Sequence, residues 1–557
     1  MVKKRWWENE NVPGHISNAL LRTAREVMKH VAMCQSGMSG PKYSQVYSGA
    51  LSGDGAIPIT IECMVATGLP KRTVVGLPGS AVRECMDRIW SAMSSTGILP
   101  PRGVLTVNLA PADVAKHGTL FDLPIALGLI LADASPSGKR WPDDHACAGE
   151  LSLNGHIQPV KGILPFVLAA RRSGRTKILV PAGNALEASH VPGVTVYPVR
   201  TLAQAIDHVS CESRIAPFSR HRRIKERRTS RSMDVSDVVG QTYAVDALTV
   251  AAAGGHNCIM IGPPGCGKTM LAERFTGILP EWSEQLALEA NCIHSLRGLL
   301  TEKGWKQERP FRSPHHTISR AGMLGGGRPI VPGEASLAHG GVLFLDEMTQ
   351  FSRSVLEGLR EPLESRRIVL SRLRDAVSFP AGFQLIAAIN PCPCGWDRSE
   401  KKKCTCSDVQ KLQYAARLSG PILDRIDMHI ALLPVDPAAF QSRGESTTRE
   451  LRVMVRRAIE YRKRRRQAVP NCELSGPDLE SLTSSEGLDH VADVMAARAL
   501  SARSRLRILR IARTCADMDG SPLVRRLDVT RAASYRRLDG VTELGMVLSE
   551  QRNRVEA

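Results

Sequence analysis

Gly262-Pro-Pro-Gly-Cys-Gly-Lys-Thr269 fits the pattern G-x-x-x-x-G-K-[ST]. In that pattern glycines let backbone N–H groups curl around phosphate oxygens, the lysine reaches the outer phosphates and the hydroxyl holds Mg²⁺. Its neighbours supply the context the pattern requires. Cys258-Ile-Met-Ile261 reads as a short buried strand entering the loop, and Met270-Leu-Ala-Glu-Arg-Phe275 as a helix leaving it. Gly262, Pro263, Pro264, Gly265, Cys266, Gly267, Lys268 and Thr269 are therefore the candidate nucleotide-binding residues.

Hydrolysis needs further groups. Gly341-Val-Leu-Phe-Leu-Asp-Glu347 is an apolar strand ending in two acids, 78 positions beyond Lys268. Asp346 is placed to order Mg²⁺ together with Thr269, and Glu347 to polarise the attacking water. Leu385-Ile-Ala-Ala-Ile-Asn390 is a second apolar strand with a polar end. Ligands of parallel sheets sit at the carboxyl ends of strands, so Asn390 should face the γ-phosphate rather than serve only as a turn residue.

A chain of 557 residues exceeds one core and implies about three to four domains. Apolar runs such as Leu123 to Ala132 are too short to span a bilayer, and the basic start Met1-Val-Lys-Lys-Arg-Trp-Trp-Glu lacks the apolar core of a secretory signal. A cytoplasmic protein without membrane contact is expected. The net charge is +19, which suits either a solvated basic surface or a polyanion partner. Clustering favours the second: Arg214 to Ser232 carries eight Arg or Lys against one Glu, and Arg449 to Arg466 nine against two. Most of the fourteen cysteines, Cys63, Cys85 and Cys258 among them, sit in apolar settings and read as buried small residues in a reducing compartment.

Along the chain, residues 1–37 read as an extension with one amphipathic stretch, Ala19 to Val31, and Met38 is a candidate start. Residues 38–210 alternate strands with helices: Ile57 to Glu62 and Arg102 to Asn108 are strand-like, Ala81 to Ser94 and Asp122 to Asp133 helical. A basic linker is expected over 211–233, an α/β nucleotide-binding core over 234–435, and an Arg-rich helical domain over 436–557.

Loop, acids and amide occur in the order found in AAA+ ATPases, and longer motifs narrow the family. These are Gly254-Gly-His-Asn-Cys258, Arg309-Pro-Phe-Arg-Ser-Pro-His-His-Thr317, Gly325-Gly-Gly with Pro332-Gly-Glu-Ala-Ser-Leu-Ala-His339, Asn390-Pro-Cys-Pro-Cys-Gly395 and Ser419-Gly-Pro-Ile-Leu-Asp-Arg-Ile-Asp427. Together they resemble the magnesium-chelatase-like AAA+ proteins of the YifB/ComM family over nearly the whole chain from Met38. The resemblance implies an ATPase using ATP and Mg²⁺, with a P-loop parallel-sheet core and a helical C-terminal lid. It also implies that Arg425 acts as an arginine finger on a neighbouring subunit's γ-phosphate. Arg503 of Ser501-Ala-Arg503 resembles the lid sensor that reads nucleotide in cis. Arg505, Arg507, Arg510 and Arg513 crowd the same helix, so a solvated or DNA-facing row is the alternative.

Cys392-Pro-Cys394 and Cys404-Thr-Cys406 offer four thiols within an insert at 392–406. Structural zinc takes four thiolates, usually from C-x-x-C pairs. The tighter C-x-C spacing leaves a redox-sensitive thiol pair as the alternative, and Lys401-Lys-Lys403 would help stabilise thiolates.

Residues 38–210 resemble the ribosomal-S5-domain-2-like fold shared with Lon proteases, through Val75-Gly-Leu-Pro-Gly79, Val107-Asn-Leu-Ala-Pro-Ala-Asp113 and Gly149-Glu-Leu-Ser-Leu-Asn-Gly155. Lon chemistry needs a Ser nucleophile and a Lys base. Here the resemblance sets Leu120 and Leu164 at those positions; Lys161 is three positions off register and Ser135 lies in another turn. Peptidase activity is not expected. The family resemblance implies a homohexameric ring motor on single-stranded or branched DNA, a branch-migration helicase serving recombination in natural transformation. Arg312, His315, His316 and Arg320, or the Arg-rich C-terminal helices, are candidate DNA contacts. The alternative is a magnesium-chelatase-type ATPase subunit that remodels a protein partner.

Overall fold

Alternation along Gly55–Ala66 sets the first layer: Ile59, Ile61, Cys63 and Val65 are buried while the residues between them are not, the period-two pattern of a sheet with one face on a core. The computed structural model describes residues 42–134, 140–219, 233–300, 305–372, 375–397, 402–418, 420–435, 444–498 and 500–536. The 1–37 extension, Ser135, Lys401, Ser419 and most of the expected linker lie outside the described residues.

Gly55–Ala66 pairs antiparallel with Lys42–Ser52 on one side and Val104–Ala110 on the other, and Lys71–Val75 adds a parallel edge strand. Helices Ser80–Ser95 and Asp122–Asp133 close the core beneath this sheet. A three-stranded parallel sheet follows, in the order His145–Cys147, Lys177–Pro181, Thr195–Val199. The expected linker begins later than residue 211. Phe218 N–H donates to Val196 O at 2.7 Å, and Ile215 and Phe218 pack on this domain's two cores.

The central sheet is parallel throughout, in the order Phe311–Arg312, Val342–Leu345, Gln384–Ile389, Cys258–Ile261, Met428–Ala431. Its four longer strands are buried at every position, as a sheet covered on both faces requires. Successive residues serve different cores. Cys258, Met260, Phe344, Ile386 and Ile430 face the helices Thr242–Gly254 and Ala502–Met518. Ile259, Ile261, Leu345 and Leu385 face the cluster holding Met323, Leu356 and Tyr414. An antiparallel hairpin, Arg367–Arg372 with Asp375–Pro380, leaves this domain, and Arg367 Nη2 lies 3.4 Å from Asp54 Oδ2 in the turn of the first hairpin.

The C-terminal region is helical: Thr448–Arg464, Gly476–Ser481, Ser485–Arg498, Ala502–Met518 and Arg526–Ser534. A capping box between Thr447 and Glu450 starts the first of these. The arginines of Ala502–Met518 do not form a surface row. Arg505 pairs with Glu480 at 2.7 Å and Arg507 with Asp427 at 2.5 Å. Arg510 donates twice to Leu474 O, at 3.0 and 2.8 Å. Arg513 is fully buried against Asp517 at 2.8 Å. Packing inverted the helix's polar reading: acids and carbonyls from neighbouring elements meet each guanidinium, and Arg503 alone of the five remains largely exposed, with 72% of its side chain accessible. Among the described residues no helix is long and apolar enough to cross a membrane.

Candidate functional site

Strand Cys258–Ile261 delivers the chain to the phosphate loop, and helix Lys268–Ile278 carries it away. Gly262 must be glycine, since a Cβ there would lie 2.8 Å from Cys266 Sγ and 2.9 Å from Leu432 O. Gly265 and Gly267 adopt φ of 77° and 91°, and nothing lies within 4 Å of a Cβ built on either. The outer side of the loop is thus open, with backbone donors and a helix N-terminus turned toward it, which suits a polyphosphate.

Lys268 Nζ donates to Gly262 O at 2.7 Å, Pro263 O at 2.9 Å and Asn390 Oδ1 at 3.0 Å. Burial pulls this ammonium below the ordinary lysine range, opposed by the charges of Cys266, Asp346 and Glu347. Thr269 Oγ1 donates to Asp346 Oδ2 at 3.0 Å, so the two expected Mg²⁺-ordering groups already face each other. Glu347 is exposed, with φ 49° and ψ 49°, and its N–H donates to Asp346 Oδ1 at 3.0 Å. A left-handed non-glycine residue at a strand tip is strained, and here it ends the strand with an exposed carboxylate. Lys268, Thr269, Asp346 and Asn390 therefore converge, with Glu347 at their edge.

Arg425 and Arg503 lie elsewhere. Both line a cavity of about 580 Å³ together with Glu364, Arg366, Asp424, Arg507 and Arg510, and no phosphate-loop residue borders it. Arg425 Nη2 pairs with Glu364 Oε1 at 2.7 Å, and Arg503 Nη1 with Asp424 Oδ2 at 3.1 Å. Asn257 also lines the cavity and immediately precedes strand Cys258–Ile261, whereas the loop follows that strand. The two sites thus occupy opposite ends of one strand, a separation of about 13 Å for four residues. Arg503 does not approach its own subunit's loop, so this conformation does not support the expected reading of nucleotide in cis.

The four expected metal thiols do meet. All four Sγ atoms of Cys392, Cys394, Cys404 and Cys406 lie within 4.8 Å of one another. Cys392 Sγ is 3.3 Å from Cys394 Sγ and 3.7 Å from Cys404 Sγ, and the Cys394–Cys404 separation is 3.6 Å. Zinc–sulfur bonds of about 2.3 Å in a tetrahedron require sulfur separations of about 3.8 Å, so the set fits zinc.

Three family models match the chain: "Magnesium chelatase, subunit ChlI" over residues 234–439, "Subunit ChlI of Mg-chelatase" over 61–184, and "Magnesium chelatase, subunit ChlI C-terminal" over 445–536. The YifB protein of Escherichia coli K12 is 40% identical over 511 residues, covering 89% of this chain and 97% of that protein. The competence protein ComM of Haemophilus influenzae is 38% identical over 500 residues, covering 88% of this chain and 97% of ComM. The chain belongs to the YifB/ComM family of magnesium-chelatase-like AAA+ proteins. Membership makes it an AAA+ ATPase, and the family implies ATP and Mg²⁺ as its ligands.

A weaker similarity reaches Lon protease 2 of Bacillus subtilis, 23% identical over 152 residues that cover 26% of each chain. In this YifB/ComM-family chain Leu120 and Leu164 are both buried in one apolar cluster. Cys292 and Leu300 of the ATPase domain join the same cluster. Leu164 N–H lies 3.2 Å from Ser295 Oγ and 3.3 Å from Glu187 Oε1, so the region of the Lon base is part of a docking surface between domains.

Sequence reasoning missed three supporting residues. Buried Gln241 donates to Cys266 O at 3.2 Å and Leu433 O at 2.7 Å, holding the loop to the last strand. Glu364 anchors Arg425. Asp427 is bonded by Arg507 and by Asn257 N–H at 3.1 Å; burial opposes its ionisation, but His256 and Arg507 hold its carboxyl far below the usual range. The Asp-Arg-Ile-Asp427 motif gave a signal for Asp427; Gln241 and Glu364 carry none in sequence. Of the candidate DNA contacts, Arg312 is engaged by both Glu334 oxygens at 2.6 and 2.8 Å, whereas His315 and Arg320 are exposed.

Proposed function

We propose that the chain is an ATP-hydrolysing ring motor acting on DNA in the cytoplasm, a branch-migration helicase that promotes recombination during natural transformation. The observation that carries this reading is the placement of Arg425 and Arg503 at the end of strand Cys258–Ile261 remote from Lys268. Neither arginine serves the nucleotide of its own subunit from that position. Stacking subunits head to tail, as a homohexamer, would present this arginine face to the next subunit's loop, a heterologous contact that closes into a ring.

Bound Mg²⁺ would neutralise charge developing between the phosphates. The residues of the chain do the rest. Backbone N–H groups of Gly265 to Thr269 cradle the phosphates of ATP, and Lys268 exchanges its carbonyl and amide partners for phosphate oxygens. Thr269 and Asp346 would hold Mg²⁺. Glu347 accepts a proton from the attacking water, which Asn390 orients. Arg425 from the neighbour balances charge on the γ-phosphate, so hydrolysis waits on assembly.

Support for DNA comes from the net charge of +19 and from helix Thr448–Arg464. Leu451, Val455 and Ala458 face the core, while Arg449, Arg452, Arg456, Arg457 and Lys463 are exposed. Such a face tracks phosphates without reading bases. The name of the H. influenzae relative supports a role in competence. We assign no peptidase activity, because Leu120 and Leu164 neither ionise nor attack and are sealed in a core. Cys392, Cys394, Cys404 and Cys406 hold structural zinc in this reading.

The test is ATP turnover with and without single-stranded and branched DNA, alongside the particle mass in ATP. DNA-stimulated turnover by a six-subunit particle is expected. Absence of DNA binding, together with capture of a large chelatase-type subunit, would move the assignment to a motor that remodels a protein partner.

A further inference from the structure

The cysteine site is built against the nucleotide site. Strand Gln384–Ile389 ends at Asn390, and the first metal thiol follows two residues later. Gly395 N–H donates to Cys392 O at 2.9 Å, closing a tight turn around Cys392 and Cys394. Gly395 itself, at φ 82°, sits on the phosphate loop: a Cβ there would fall 2.6 Å from Pro264 Cδ, 2.7 Å from Pro264 Cγ and 3.9 Å from Asn390 Cγ. One glycine of the turn therefore packs closely on the loop that cradles phosphate, near the amide that holds Lys268 at 3.0 Å.

The far side of the turn is held in two ways. Lys411 Nζ pairs with buried Asp397 at 2.7 Å, tying the turn to helix Asp408–Ala416. Ser407, directly after Cys406, caps that helix through a reciprocal pair with Gln410. The thiols join these two halves: Cys394 N–H donates to Cys406 Sγ at 3.4 Å, and Cys404 Sγ lies within 3.7 Å of both Cys392 and Cys394 sulfurs. Sulfur–sulfur and N–H···S contacts are weak on their own. A tetrahedral metal would turn them into a rigid crosslink.

We propose that zinc at this four-thiolate site is a clamp that presses Gly395 against Pro264, so that metal occupancy sets the affinity of the phosphate loop for nucleotide. The proposal rests on the zinc reading given above. Binding is ligand exchange: each thiol loses a proton to solvent and its sulfur lone pair replaces water bound to Zn²⁺, with no change of oxidation state. With the metal absent the turn is free to draw back from Pro264, the loop loses its packing partner, and Lys268 and Asn390 lose their fixed spacing.

The experiment measures zinc content by atomic emission and affinity for a fluorescent ATP analogue on the full chain. Wild-type protein is compared as isolated, after chelation, and after restoration with Zn²⁺. Chelation should weaken nucleotide binding by about tenfold, the equivalent of one hydrogen bond from the loop to a charged phosphate, and added Zn²⁺ should restore it. Cys404→Ser should lose both zinc and affinity. Gly395→Ala should keep its full zinc content and still bind nucleotide more weakly, because its methyl group displaces Pro264; this variant leaves the metal ligands intact. Zinc release with unchanged nucleotide affinity would overturn the clamp and leave the zinc reading standing. Wild-type protein that neither carries nor takes up zinc would overturn both. Native affinity in Gly395→Ala would refute the contact on which the coupling depends.

Discussion

Thr269 Oγ1 donates a 3.0 Å hydrogen bond to Asp346 Oδ2 across 77 positions of sequence. It joins the start of a helix to the tip of a strand two places away in the sheet, and leaves Glu347, one residue further on, exposed at the same edge. Glu347→Gln keeps the shape and removes the proton acceptor. It should bind ATP as the parent does and hydrolyse it at least about 100-fold more slowly. Single-turnover hydrolysis at the parent rate would remove Glu347 from the role of base.

Arg425 and Arg503 share one cavity with each other and with no loop residue. On the proposed action in trans, Arg425→Ala should lose turnover by about 10³-fold while retaining ATP binding. Mixing it with Glu347→Gln subunits should recover part of the activity, because a junction pairing an intact Arg425 with an intact Glu347 forms in mixed rings. An activity that stays at the level of the separate variants at every mixing ratio would count against action in trans.

Asp517 is almost wholly buried and serves Arg513, Arg465 and Asn471 together. Replacing it with Asn leaves a fully buried guanidinium without its counter-charge, a change that costs about 3–5 kcal/mol. The helical C-terminal domain should unfold at visibly lower urea concentration in Asp517→Asn. A loss under about 1 kcal/mol would mean that water reaches Arg513.

Asp427 makes stability depend on acid. Its folded carboxyl ionises far below the ordinary aspartate value of 3.8, so the stabilisation is complete above that value and is lost as pH falls beneath it. The carboxylate faces Arg507 from the lid helix and His256 from the turn before the loop strand. Melting temperature should drop as pH is lowered past 3.8, and Asp427→Asn, less stable at neutral pH, should drop less steeply. Parallel curves for the two proteins would show that other carboxylates govern the acid limb.

Much of the candidate nucleotide site was legible because each part lies where a strand stops. A short apolar run that ends in a glycine loop, an acid or an amide marks the carboxyl edge of a buried strand, and three such runs at 258–261, 342–345 and 384–389 meet at one edge once the sheet is parallel. Each thiol pair was legible from its C-x-C spacing, but the nine residues between Cys394 and Cys404 leave their convergence to the fold. The start of the linker was misplaced because Ile215 and Phe218 are isolated apolar residues whose partners lie in distant strands.

Sequence alone determined the family and, through it, an AAA+ ATPase, both of which rest on local runs of residues. Only the tertiary structure decided which end of the sheet Arg425 and Arg503 occupy, that Arg513 is interior, and that Gly395 rests on Pro264. Those facts depend on how helices and turns far apart in the chain pack on a shared core. No local pattern encodes them, because an arginine packed into a core and an arginine facing solvent are spelled alike.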